Sequence, residues 1–304
     1  MSDNSNDKIM RGTGLLVIEA RDSNPNGDPD RESDPRQRPD KRGEISPVSF
    51  KRKVRDLIQS DLESTERGPV WDSLAASFNP HLDPGRFCIL ESRGRKREEI
   101  VQEVKDKRFV PKYWDARVFG CTFLEQGESH IKTGVVQFGM GVSISPILIK
   151  RYTNTNKPGV EGDTDRGMAP LGYRVVEHAV YLMPFCVNPT AAGKSGCTQL
   201  DIDILLKTIP FAYPHNPSAM RPFVEIRHAW FMEHKSPLGS CSDFALIDAM
   251  RPARKPGFDP KEPSKSWDEY QVPVTLPNEL QSRVESPRDL MKEADGTTGT
   301  QRKA

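Results

Sequence analysis

The chain is short of cysteine. Cys88, Cys121, Cys186, Cys197 and Cys241 are five in 304 residues, an odd number with no C-x-x-C pair among them. This excludes a disulfide framework and a cysteine zinc site, and it fits reduced thiols in the cytoplasm. Long apolar runs are missing too, and the polar residues 1–8 lack the apolar core of a signal peptide. A cytoplasmic protein without membrane contact is expected. Charge of one sign is not in excess, with 44 Lys+Arg against 43 Asp+Glu; a globally basic nucleic-acid binder is excluded, whereas a local basic face is not. There is no H-E-x-x-H, no G-x-S-x-G and no phosphate-loop motif. The six histidines (His81, His130, His178, His215, His228, His234) are scattered, and those in strand candidates, His178 and His228, read as packed or surface residues. Without a nucleophile, base, metal cage or cofactor motif, no catalytic residue, metal or cofactor is expected.

What the chain has is proline: twenty-six of them, against an ordinary share of about 5%. Loops, short strands and long insertions are expected, and a helical bundle is not. With 35% hydrophobic and 29% charged residues, the chain is large enough for a sizeable core. After a leader at 1–12, the apolar run at 14–20 is the first core strand. Turn formers fill 22–30. Ser46 and Pro47 then supply an N-cap and a first helical residue, and a helix runs to about residue 62. Its stripe is Phe50, Val54, Leu57 and Ile58, bordered by Lys51, Arg52, Lys53 and Arg55. Residues 64–112 mix glycine, proline and charge clusters and read as an inserted subdomain outside the first core. A short helix closed by glycine is expected at 113–120, a glycine-interrupted strand at 134–144, and a flexible hairpin-like insertion at 150–171. Strands follow at 175–187 and 223–232 with a helix over 199–211 between them. Disorder is expected beyond about Val284. The order of elements is that of an α+β, ferredoxin-like split β-α-β unit.

Three motifs carry chemistry, each with a plain alternative. In the Asn-Pro-Asn-Gly-Asp-Pro-Asp stretch at 24–30, Asp28 and Asp30 are spaced to converge on a divalent cation, or the stretch is a structural turn. The four cations at 51–55 suit a polyanion, or form a solvated charged face. Gly134, Gly139 and Gly141 let another backbone approach closely, either RNA or a neighbouring element of the protein.

Taken together with Trp-Asp-Ala-Arg-Val-Phe-Gly at 114–120, these motifs stand in the order and spacing of one family. The chain resembles the Cascade backbone subunit of type I CRISPR systems, most closely its I-C and I-B branch, over most of residues 13–250. The resemblance implies an RNA-recognition-motif-like palm with finger and thumb insertions. Its parts would be a disordered leader (1–12), palm segments at 13–63, 113–149 and 172–284, a finger-like subdomain at 64–112, a thumb-like insertion at 150–171 and a disordered tail at 285–304. It implies a guide-RNA scaffold in which copies line up along a CRISPR RNA and present it to target DNA. The implied partners are those copies, an end-capping RNA-processing subunit, a large subunit and a recruited helicase-nuclease. RNA contacts are implied for Asn26 and Gly27, for Lys51, Arg52, Lys53 and Arg55, for Gln137, Gly139 and Gly141, and at the thumb for Arg166 and Met168. The competing function is a metal-dependent RNA endonuclease of the type III backbone kind, with Asp28 or Asp30 as its loop aspartate. The sheet segments lack the aromatic pattern of base-stacking RNA-recognition motifs, as suits a reader of backbone and shape.

Overall fold

The computed structural model describes residues 8–59, 67–68, 70–78, 82–92, 96–121, 124–125, 128–129, 132–155 and 170–295. The chain is an α+β protein built on one large antiparallel sheet. Its strands are Gly12–Ser23 (β1), Arg42–Ile45 (β2), Val136–Phe138 (β3), Gly141–Pro146 (β4), Ile149–Thr155 (β5), Pro170–Val187 (β6), Val224–Glu233 (β7) and Arg288–Asp289 (β8). They lie in the order β8-β7-β1-β6-β4-β2, with β3 and β5 also pairing along β6. β1 sits at the centre, with Leu16 opposite Met183 of β6 and Ala229 of β7.

The unbroken apolar run of β1 has a direct cause: both faces of the sheet are covered, so neither set of alternating side chains meets water. Leu16, Ile18 and Ala20 face one core with the helices Pro47–Ile58 (α1), Trp114–Phe119 (α2) and Gln199–Thr208 (α3). Leu15 and Val17 face a second core with Val180, Leu182, Trp230 and Met232. That second face is closed by the helix Asp243–Ala249 (α4) and by Met250, Tyr270, Leu276 and Val284. Burying each such leucine or valine contributes roughly 1.5–3 kcal/mol.

Local signals start the helices where the sequence predicts, while α1 ends at Ile58 and not at about residue 62, because Gln59 is extended. Ser46 Oγ accepts from the N–H of Ser49 at 3.2 Å, Pro47 opens α1, and Gly120 (φ +81°) closes α2. A capping box between Thr198 and Asp201 starts α3. No helix among the described residues is long and apolar enough to cross a membrane.

Four expectations need correction. Part of the disordered leader is ordered: Ile9 is buried and Arg11 pairs with Asp243, while residues 1–7 lie outside the described residues. Residues 64–112 are not separate from the first core, because Trp71, Leu74, Phe87 and Ile89 are buried within it. The strand expected over 134–144 is two strands, broken where the N–H of Gly139 bonds Pro184 O at 2.8 Å. Of the tail expected to be disordered from 285, the part to 295 is folded, since β8 pairs with β7 and the helix Leu290–Ala294 (α5) buries Leu290. β2, within a stretch of polar sequence, had no apolar run to announce it.

Candidate nucleic-acid interface

The loop after β1 is built onto the start of α1. The backbone N–H of Ser46 donates to Asn26 Oδ1 at 2.7 Å, and Asn26 Nδ2 donates to Gly27 O at 3.0 Å. Asp28 acts within this loop, its carboxylate accepting from the N–H of Asp30 at 3.2 Å to cap a 3-10 turn. The strand pair β5–β6 reaches the same place. Arg151 Nε donates to Asp34 at 3.2 Å and Arg174 lies 3.7 Å from it, and the Arg151 hydrogen bond holds the Asp34 carboxyl below its ordinary range. Tyr152 and Tyr173 stack on this pair with ring centroids 5.4 Å apart. Among the described residues, no group of three or more His, Cys, Asp or Glu side chains is arranged to hold a metal ion.

The four cations of α1 have four different surroundings. Lys51 is half-buried with Nζ 5.1 Å from the Phe119 ring centre, and burial, followed by Arg55, lowers its pKa. Arg52 bonds Asp56 one turn on, at 2.8 Å. Lys53 is only 5% exposed; Nζ reaches Ser49 Oγ at 3.2 Å and lies 5.4 Å from the ring centre of Tyr213. Arg55 is buried, with Nε donating to Asp115 at 2.9 Å and the guanidinium 3.2 Å from Glu91. The four cations at 51–55 therefore do not form one solvated charged face. Arg55 holds α1 to α2, and phosphate contact is not its task in this arrangement. Asp115 also accepts from the backbone N–H groups of Leu90 and Glu91, at 2.6 and 3.1 Å. The other charged residue of the 114–120 motif is likewise structural: Arg117 grips Asp201 through two bonds, at 2.7 and 3.1 Å, and the carbonyls of Arg86, Val110 and Pro111 at 2.8 Å each.

The glycine strand lies at the same edge, since Gly141 pairs with Ile45, the residue before the α1 cap. Gly141 itself is buried, and a Cβ there would meet Met183 at 3.0 Å and Ile45 at 3.2 Å. At Gly134 a Cβ would lie 2.2 Å from the backbone of Phe119. Both glycines answer to packing of protein on protein. Gln137 and Gly139 instead line an open groove of about 720 Å³ with Arg11, Cys186, Asp243 and Phe244. Arg166 and Met168 lie outside the described residues.

The structure thus ties Asn26 and the Gly27 loop to the cap of α1, sends Lys51, Arg52 and Lys53 of that helix to three different surroundings, lines a groove with Gln137 and Gly139, and turns Arg55 inward. It adds Arg221 and Tyr213, which sequence reasoning missed. The available signal was modest: residues 213–222 contain prolines, an asparagine and one arginine, with no acid to pair it.

A family model described as CRISPR-associated protein Cas7 matches residues 10–275. The chain belongs to the Cas7 family. The match takes in the whole of β1 to β7, with α1, α2 and α3, so this Cas7 chain carries the family pattern across seven of the eight strands of its central sheet. No curated protein matches it by sequence. Among solved structures it is similar to a chain of a "CRISPR RNA-guided surveillance complex, pre-nicking" at 13% identity, covering 73% of this chain and 78% of that one with a TM-score of 0.45. A second surveillance-complex chain is similar at 13% identity over 80% and 77%, with a TM-score of 0.38. A chain of a type III-B complex bound to cognate target RNA is similar at 11% identity over 74% and 61%, with a TM-score of 0.39.

Proposed function

We propose that this Cas7 chain is a CRISPR RNA-binding backbone subunit of a type I surveillance complex. Copies assemble along one guide RNA, hold its sugar-phosphate chain and leave bases free to pair with target DNA. A repeated head-to-tail contact that does not close gives a filament whose length the RNA can set. The remaining partners are an RNA-processing subunit at the end, a large subunit, and a helicase-nuclease that destroys the DNA. The subunit itself is non-catalytic and cytoplasmic, in keeping with five scattered cysteines that contain no C-x-x-C pair.

One observation carries this reading: within a family match spanning β1 to β7, the 24–30 loop, the cationic start of α1 and the glycine strand meet at one sheet edge. A ferredoxin-like palm is supported by the order β7-β1-β6-β4 with α1 and α3 on one face, which is the order of a split β-α-β unit. In this palm the second sheet face is occupied by protein, so contact with RNA falls to the edge and its cations. We assign the insertion at 150–171, whose ends are strands β5 and β6, as the thumb, with Arg166 and Met168 as its RNA contacts, and 64–112 as the finger. Asp28, engaged in capping its own turn, supports the scaffold reading over the nuclease.

Purification from its host tests the proposal. The expected result is bound small RNAs sharing a repeat-derived end. Bound cellular messages, or magnesium-dependent cutting of paired target RNA that Asp28→Ala abolishes, would overturn it.

A further inference from the structure

Buried cations in folded proteins are normally paired with an acid, and two cations beside the 24–30 loop break this rule. Lys53 is nine-tenths buried or more and Arg221 is half-buried, and among the described residues neither has a carboxylate within ion-pair distance. The Nε of Arg221 is shut off from solvent and has no hydrogen-bond partner. The hydroxyl of Tyr213, a residue 3% exposed, is also buried without a partner.

These groups are held together by neutral contacts. Asn216 Nδ2 donates to Lys53 O at 3.2 Å, which fixes the 213–221 loop on α1. The N–H of Asn24 donates to Met220 O at 2.7 Å, which fixes the same loop on the end of β1. Arg221 is close enough to bias both neighbours: after burial, it is the next influence lowering the Lys53 pKa, and it pulls the Tyr213 hydroxyl down against burial. Ammonium, guanidinium and phenol are donors, and the two cations repel each other. Such a set is completed by an anion rich in acceptor oxygens. Two further open atoms lie nearby, the Tyr181 hydroxyl and Asn24 Oδ1; the second is an acceptor, which a sugar hydroxyl satisfies and a phosphate does not.

We propose that Lys53, Arg221 and the Tyr213 hydroxyl form a binding site for one phosphate group, filled in the assembled particle by a backbone phosphodiester of the RNA. The site rests on the RNA-binding reading above, and it adds Arg221 and Tyr213 to the residues that reading names. Lys53 and Arg221 come from segments far apart in sequence, so the site exists only when the 213–221 loop is seated on α1.

The test uses the full chain and the variants Arg221→Gln and Lys53→Met, with Lys261→Gln, on an exposed stretch elsewhere, as control. Two probes are compared: inorganic phosphate against chloride at matched ionic strength, read as melting temperature, and a labelled single-stranded RNA, read by anisotropy across a salt series. Phosphate is expected to raise the melting temperature of the wild type and the control and to leave both site variants unmoved. RNA affinity is expected to fall about tenfold in Arg221→Gln, with the log-log salt slope smaller by about 0.7. If the wild type binds RNA and both variants, folded by circular dichroism, bind it with unchanged affinity and slope, the site is overturned and the RNA-binding reading stands. If the wild type binds no RNA, that reading fails and the RNA assignment of the site fails with it; loss of phosphate stabilisation in Arg221→Gln would then mark a site for free phosphate.

Discussion

Two pairs of buried cations divide the molecule into what is closed and what is left open. Arg55 and Arg117 each meet a buried aspartate, Asp115 and Asp201, and each of those aspartates also takes backbone or hydroxyl donors. Lys53 is buried to a comparable degree and meets a hydroxyl, a carbonyl and an aromatic ring, whereas Arg221 is half-buried and its Nε meets no partner. The difference shows that a cation's task is set by what the fold places against it. Arg55 is two residues from Lys53 on the same helix, yet it is a structural pin, because α2 brings Asp115 to it.

The largest effect should come from breaking a closed pair. Asp115→Ala leaves the buried Arg55 guanidinium only the exposed Glu91 carboxylate and orphans the N–H groups of Leu90 and Glu91, and it should lower unfolding stability by about 3–5 kcal/mol, read from urea denaturation. A loss below about 1 kcal/mol would erase the distinction between the two pairs.

The open pair should answer in the opposite direction. Burial, and then the nearby Arg221, push the Lys53 pKa down to about 8 from 10.5, with Asp56 the acid opposing the shift. The unfolded chain therefore binds more protons between those two values, and the cost of the buried charge is full below about pH 8 and fades as pH rises toward 10.5. Lys53→Met should stabilise the free protein by roughly 1–3 kcal/mol at pH 7, with the gain shrinking at pH 10. Urea midpoints at the two pH values check this, and a pH-independent gap would place the amine in water.

The smallest change in stability belongs to the two half-buried cations of α1, Lys51 and Arg52. Lys51→Ala with Arg52→Ala should alter stability by less than about 1 kcal/mol while reducing the salt slope of RNA binding by about 0.7 for each phosphate no longer neutralised. Unchanged slope in the folded double variant would remove this face from the interface.

The same contrast explains how much was legible beforehand. Period and caps made α1, α2, α3, β6 and β7 readable, because those signals are local. The continuous apolar run of β1 signalled a core strand, and only the fold reveals that residues from 243 onward cover its second face. β2 was missed because an edge strand of four residues with one arginine and one glutamate has no apolar pattern. The site was half legible. Loop, helix and glycine motifs were visible as neighbours in sequence, but which cations are paired depended on Asp115 and Asp201, and Arg221 stood alone in a loop without a periodic signal. Gly134 and Gly141 were rightly seen as points of close approach, and the approaching groups were protein.

The position of β1 has a consequence in the time domain. It is the central strand and is made before both of its neighbours, β6 and β7, which come more than a hundred and more than two hundred residues later. At a synthesis rate of about 5–20 residues per second, the interval between Ser23 and Glu233 is on the order of 10–40 s. Until β6 is made, a strand apolar on both faces has neither flank paired, and until β7 is made one flank stays open, while the strands that complete it in a neighbouring nascent chain are identical to its own. Slowing synthesis lengthens this window, while lowering the number of chains made side by side reduces the chance that one molecule's β6 closes on another's β1.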